Sequence, residues 1–221
     1  LDEAMKAVVV LAMLGYGVGM YLFARRLMGM WSALLASAAY IYAPYRLREL
    51  YVQGDYPQFL AIMWYPWVLW AFLSLIREKR PRYVFAVSLS LAGLLTSHTI
   101  STMLFAPLAG LFVIISLWES AMPEDRRAAF SRIVFAGTLG LGLAAFFWLP
   151  ALLESNLIRL ESITRGFFDF HQHFLNLQEL FAPPAPLDRT AINPYFPLSL
   201  GIAQAVLATA SLVLLGVGCF K

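Results

Sequence analysis

The stretch Ala43–Ala61, APYRLRELYVQGDYPQFLA, decides how the chain is read. An apolar run, Met28–Tyr42, precedes it, and a second, Phe59–Ile76, follows. Between them Arg46, Arg48, Glu49 and Asp55 interleave with Tyr45, Tyr51 and Tyr56. Charges at membrane depth cost about 2.5–3.5 kcal/mol each on insertion scales, so a charged knot between apolar runs marks a loop at a membrane face. Its plain reading is a solvated loop with interfacial tyrosines and an Arg46–Glu49 pair at i,i+3. Its functional reading is that Arg46 and Arg48, with Tyr51 beside them, hold a phosphate or anionic headgroup. The planar guanidinium donates parallel hydrogen bonds to such a group. Asp55 then holds a hydroxyl or a metal ion, and Gly54 supplies a tight turn.

Composition supports a membrane class. The 221 residues are 61% hydrophobic and 13% charged, with mean hydropathy +0.71. Soluble domains average about 25% charged residues. The aromatic content of 15% agrees, because Trp and Tyr gather at membrane interfaces. A net charge of +3 follows from basic loops alone, and no basic run with interleaved aromatics suggests nucleic acid. The one cysteine, Cys219, excludes an intramolecular disulfide. The first residues carry no basic n-region of a signal peptide, and both ends suggest a piece of a longer protein.

Segments of about 17–25 apolar residues can cross a bilayer. On this measure the expected fold is all-α, a polytopic bundle of about seven spans: Ala4–Ala24, Met28–Ala43, Pro57–Ile76, Tyr83–Ser97, Ile100–Trp118, Ile133–Leu153 and Pro197–Phe220. They form a single transmembrane domain over residues 1–221. With alternating spans, Arg25 and Arg26, Arg77 to Arg82, Arg126, Arg127, Arg132 and Lys221 fall on one side. Lys- and Arg-rich short loops stay cytoplasmic. The expected location is therefore the inner (plasma) membrane, with residues 44–56, 97–99 and 154–196 outside. Within the last of these, Phe167, Phe170, Phe174, Leu177 and Phe181 in GFFDFHQHFLNLQELF (Gly166–Phe181) recur at helical spacing. They predict an amphipathic helix lying on the outer interface.

Further polar groups stand on the outer side. His98 lies in LLTSHTIST, a polar island between apolar runs, and reads as a helix-end residue or as part of a site. His171 and His173 form an H-x-H pair, but i,i+2 positions of a helix do not face each other, which favours an interfacial helix over zinc. Pro150 in FFWLPALLES predicts a kink or boundary, with Glu154 emerging at the outer face. Gly15-Tyr16-Gly17-Val18-Gly19 lies inside an apolar span, so it reads as small-residue helix packing rather than a nucleotide loop.

Three blocks resemble a known family. They are AAYIYAPYRLRELYVQGDYPQFLAIMWYPWVLWA, LAGLLTSHTISTMLFAPL and GLAAFFWLPALLESNLI. Their order and spacing, over roughly residues 20–185, resemble the bacterial membrane proteins called 6-pyruvoyl-tetrahydropterin synthase-related. The name refers to a soluble zinc enzyme of another kind, and nothing in this chain supports pterin chemistry. By fold the family is similar to the GT-C class of membrane glycosyltransferases, which use a polyprenyl-phosphate sugar at the outer face. Fold alone does not set function.

Tyr45, Arg46, Tyr51, Gly54, His98, Pro150 and Glu154 stand as the family has them. The family's Y-V-R-G-A-x-x-E departs here, with Gln53 for the Arg, Asp55 for the Ala and Gln58 for the Glu. Its L-T-H-N block becomes Leu95-Thr96-Ser97-His98-Thr99. GT-C enzymes usually place a catalytic Asp in the first outer loop, which in this family is expected to lie ahead of Leu1.

Two functions follow as expectations. The first is glycosyl transfer from a lipid-phosphate donor, with Arg46, Arg48 and Tyr51 on the phosphate and Asp55, His98 and Glu154 as the catalytic set. No cofactor is demanded, although a divalent metal ion could sit at Asp55. The second is a non-catalytic accessory subunit, packed against partner membrane subunits and lipids. A transporter would want charge inside the spans, which are nearly free of it.

Overall fold

A computed structural model describes residues 2–120, 122–157, 169, 171, 174–182, 190 and 199–219. All of the regular structure among them is helical: α1 (Asp2–Leu27), α2 (Met30–Ile41), α3 (Pro44–Arg48), α4 (Tyr56–Glu78), α5 (Pro81–Ser97), α6 (Thr99–Ser120), α7 (Arg126–Leu143), α8 (Ala145–Leu153), α9 (Leu177–Leu180) and α10 (Ile202–Cys219). Backbone contacts divide the chain into two units. One comprises residues 1–41 and 55–155, the other 42–54 and 156–221.

In the larger unit α4 is the central element, packed against α1, α5 and α6. Between apolar helices in a membrane there is little hydrophobic driving force, so association depends on close packing and interhelical hydrogen bonds. Gly15 and Gly19 give α1 a bare stripe: a Cβ on either would come within 2.3 Å of the Met63 sulfur or 2.5 Å of Trp67 Nε1. Trp67 Nε1 in turn donates to the Gly15 carbonyl at 2.9 Å. Gly17 points instead to α2, whose Ser37 donates to the Gly17 carbonyl at 2.8 Å. The small-residue reading of this segment is therefore correct, and each glycine has its own neighbour.

Fully buried Tyr16 donates to the Phe59 carbonyl, and Tyr40 donates to the Ile62 carbonyl at 2.8 Å. Gly93 of α5 lets the Trp64 ring approach, and Gly140 of α7 lets Ser88 and Leu91 approach. These pairings run α1 and α4 parallel, with α5 antiparallel to α4. Tyr65 bonded to the Ser101 carbonyl, with Leu117 packed against the cluster of Ile76 and Ala129, runs α6 parallel to α4. The charged ends of the helices consequently meet. Glu78 accepts from Arg26 at 2.5 Å, Arg82 at 3.1 Å and Tyr83 at 2.8 Å, and Lys79 pairs with Asp125.

Among the described residues, three helices are long and apolar enough to cross a membrane: Glu3–Leu27, Tyr56–Glu78 and Thr99–Glu119. A fourth span exists if α7 and α8, bent by 72°, count as one. The expectation of seven is not reached by length. The second segment folds as the 12-residue α2, about 18 Å long against roughly 30 Å of hydrocarbon. The fourth gives the 17-residue α5, and the seventh holds a shorter apolar helix, Ile202–Val213.

The bend before α8 also differs from expectation, because it falls at Ala144, six residues before Pro150. Gly140 and Gly142 weaken the end of α7, and Trp148 Nε1 donates at 2.9 Å to the Leu141 carbonyl, one of the orphan acceptors of that helix end. The helix expected over Gly166–Phe181 is interrupted. Asn176 is extended and caps the new short α9 through a reciprocal box with Glu179, while much of the remainder lies outside the described residues.

The α1–α4 contact is testable. Gly19→Ala should destabilise the protein by about 1–3 kcal/mol through overpacking against Trp67. Gly110→Ala, whose Cβ meets nothing within 4 Å, should stay within roughly 0.5 kcal/mol in the same thermal unfolding series in detergent.

Candidate functional site

In the smaller unit the charged knot is a compact double turn. Pro44 starts α3 at a position where its missing N–H costs nothing. The chain then widens into a π-helical turn over Glu49–Gln53. Gly54, at φ +65°, ends it and donates its N–H to the Glu49 carbonyl. Left-handed backbone of this kind favours glycine, so the expected tight turn is present.

Arg46 and Glu49 are buried, at 4% and 0% exposure. Arg48 donates to Gln53 at 3.0 Å and lies 3.9 Å from the Glu49 carboxylate. Tyr51 points outward at 75% exposure. At the other end of this unit, Gly201 at φ +89° approaches Pro44 so closely that a Cβ would lie 2.7 Å from the proline ring. The N-terminal end of α10 is thereby held against α3.

In the larger unit Asp55 and His98, two of the three expected catalytic residues, have local structural roles. Asp55 is the N-cap of α4, its Oδ1 accepting the Gln58 N–H at 3.1 Å. His98 ends α5 and immediately precedes α6. Its Nδ1 accepts the Ser101 N–H at 3.2 Å and lies 2.8 Å from Ser101 Oγ. Accepting a backbone N–H requires the Nδ1 lone pair, which assigns the proton of the neutral ring to Nε2 and makes Ser101 Oγ the donor. The rest of the polar island works the same way. Thr96 and Ser97 donate to carbonyls one turn back in α5, and Thr102 donates to the Leu94 and His98 carbonyls. Glu154 follows α8 and is exposed.

Asp55, His98 and Glu154 all belong to the end of the larger unit opposite the arginines, but no hydrogen bond joins them among the described residues. The register of the α4–α5 hairpin, set by Gly93 against Trp64, puts Ser97 level with Leu60. Asp55 then stands roughly 8 Å further along the axis at 1.5 Å rise per residue.

Among the described residues no group of three or more His, Cys, Asp or Glu could hold a metal ion. His171 pairs with Asp169 at 2.8 Å, and His173 lies outside the described residues. The capping roles had a sequence signal that the functional reading passed over. Asp55 stands three residues before Gln58 at the start of an apolar run, and Asn176 three before Glu179.

The family's model matches residues 2–219, described as the 6-pyruvoyl-tetrahydropterin synthase related domain of membrane proteins. The chain belongs to this family. It is accordingly a membrane protein, which accounts for the apolar side chains on the outer face of α6, where Met103, Leu104 and Leu108 are each at least 66% exposed. No match was found among curated proteins, and none among solved structures.

If Asp55 acts as a cap, then Asp55→Ala should cost about 1 kcal/mol and Asp55→Asn or Asp55→Ser should recover most of it. Thermal unfolding of the three variants in detergent checks this.

Proposed function

We propose that this chain is a non-catalytic transmembrane scaffold, an accessory subunit or module of a larger membrane assembly. The observation that carries the reading is the commitment of its polar residues to local architecture. Asp55 caps α4, the His98 Nδ1 serves the first turn of α6, and Arg48 is engaged by Gln53 and Glu49. A catalytic base must reach its proton within hydrogen-bond distance, and a phosphate site needs unneutralised cations. The clustering of Arg26, Arg77, Arg80 and Arg82 at one end orients the molecule. By the positive-inside preference that end faces the cytoplasm, and the Asp55 and His98 end faces outward across a plasma membrane.

A second reading keeps glycosyl transfer from a polyprenyl-phosphate donor at the outer face. It is favoured by the atoms that the caps leave over. Asp55 Oδ2, His98 Nε2 and the exposed Glu154 carboxylate carry no hydrogen bond among the described residues. The phosphate-binding roles of Arg46, Arg48 and Tyr51 belong to this reading.

Purified protein in lipid vesicles, given a polyprenyl-phosphate sugar and a panel of acceptors, separates the two. The scaffold reading expects no turnover above empty vesicles and expects Asp55→Asn, His98→Ala and Glu154→Gln to change stability alone. Turnover that falls 100-fold or more in folded Asp55→Asn or Glu154→Gln protein would establish the enzyme.

A further inference from the structure

The arginine end of the larger unit takes no part in the candidate site, and a cavity lies on the same helices, about one to two turns from it. A space of about 370 Å³ lies between α1, α4 and α5. Its walls are Trp64, Trp67 and Trp70 of α4, Phe85 and Leu89 of α5, and Gly15 of α1. Phe85 and Leu89 are 64% and 48% exposed, so the space opens outward as a groove. It runs beside α4, a helix of membrane-crossing length, and so faces hydrocarbon at its middle.

Each wall leads to an arginine. Residues three, four or seven apart share one helix face. Phe85 and Leu89 continue the face of Arg82, Trp67 and Trp70 continue through Ser74 to Arg77, and Gly15 and Gly19 continue to Arg26. The contacts agree with the spacing. Trp70 meets Tyr83 edge-on at 5.8 Å, and the guanidiniums of Arg82 and Arg26 lie 4.7 and 5.8 Å from the centre of the Tyr83 ring.

The charge at this rim is strongly unbalanced. Arg26, Arg80 and Arg82 share the single carboxylate of Glu78, while Asp125 is taken by Lys79. Arg80 and Arg82 keep side-chain exposures of 61% and 60%. Arg82 uses Nη2 for both Glu78 and Tyr83, so its Nε and Nη1 have no hydrogen bond among the described residues.

We propose that the groove binds a phospholipid with a net-negative headgroup, one acyl chain lying against the three tryptophans and the phosphate at Arg82 and Arg80. Apolar walls select the chain, and the surplus of guanidinium charge selects the headgroup. Basic pockets between membrane helices recognise anionic lipids on this principle.

The tryptophans report occupancy directly. With Trp31, Trp118 and Trp148 replaced by Phe, fluorescence comes only from Trp64, Trp67 and Trp70. The protein is placed in phosphatidylcholine nanodiscs containing rising fractions of acyl-brominated phosphatidylglycerol or acyl-brominated phosphatidylcholine. Half-maximal quenching should occur at roughly a fivefold or greater lower mole fraction of the anionic lipid, the factor expected for one favourable cationic contact. Arg80→Gln with Arg82→Gln should bring the two lipids to parity, and Ala86→Leu, which fills the cavity wall, should reduce quenching by both. Equal quenching by the two lipids in the unsubstituted rim would make the groove ordinary bilayer contact and overturn the proposal. Absence of quenching would mean that a second copy or another helix covers it, and would overturn it equally. The lipid comparison needs no rim variant, and both lipids are read in the same Trp31→Phe, Trp118→Phe, Trp148→Phe protein, whose folding is checked by its thermal unfolding beside the unsubstituted protein.

Discussion

Pro66 sits inside α4 and has no N–H to give to the carbonyl of Ile62, four residues back. Tyr40 of α2 supplies the donor instead, at 2.8 Å. In a hydrocarbon environment every backbone polar group needs a partner within the protein, so this vacancy ties a neighbouring helix to α4. The same logic recurs through the larger unit. Tyr16 donates to Phe59, Trp67 to Gly15, Ser37 to Gly17, Tyr65 to Ser101 and Ser88 to Ala136, each from a side chain on one helix to a carbonyl of another. Glycines bring the backbones close enough for these reaches. The bundle is held by shape and by such bonds, because lipid offers helices no hydrophobic reason to associate.

The two ends of that bundle are built differently. At one end cations converge on Glu78 and Tyr83 and tie α1, α4 and α5 together. At the other, side chains cap helices: Asp55 for α4 and His98 for α6. A polar residue at a helix end in such a fold has a structural use before it has a chemical one. On this ground we propose a scaffold for the constellation that suggested catalysis, and a lipid groove for the cationic end that reads in the sequence as loop charge.

Much of this was legible in the residues. The apolar runs identified the helices, the glycines of the first run identified a packing face, Gly54 identified a turn, and the arginine clusters came together at one end as charge alternation required. The family resemblance rested on three blocks, and the family match covers them. The number of spans was not legible, because Met28–Ala43 is apolar throughout but its helix covers only Met30–Ile41, ending ahead of the charged knot. Pro150 was read as a kink or boundary; the helix does end soon after it, at Leu153, but the bend lies earlier, at Ala144, where glycines and the Trp148 side chain act on the preceding turn. The phenylalanine periodicity of Gly166–Phe181 concealed a competing cap at Asn176, since periodicity registers side-chain spacing and not the local hydrogen bond that stops a helix. For Asp55 and His98 the residue type was read as chemistry, while their capping bonds depend on the geometry of the adjoining helix start, which residue type alone does not show.

The claim that interhelical bonds to orphaned carbonyls hold the bundle is most directly tested by a double-mutant cycle. Tyr40→Phe removes the donor, and Pro66→Ala restores the helical N–H to Ile62. Unfolding free energies in detergent should show Tyr40→Phe costing about 1 kcal/mol with Pro66 present, consistent with a net hydrogen-bond contribution, and almost nothing in the Pro66→Ala background. Additive effects, with Tyr40→Phe equally costly in both backgrounds, would show that Tyr40 acts by packing alone and would contradict the account.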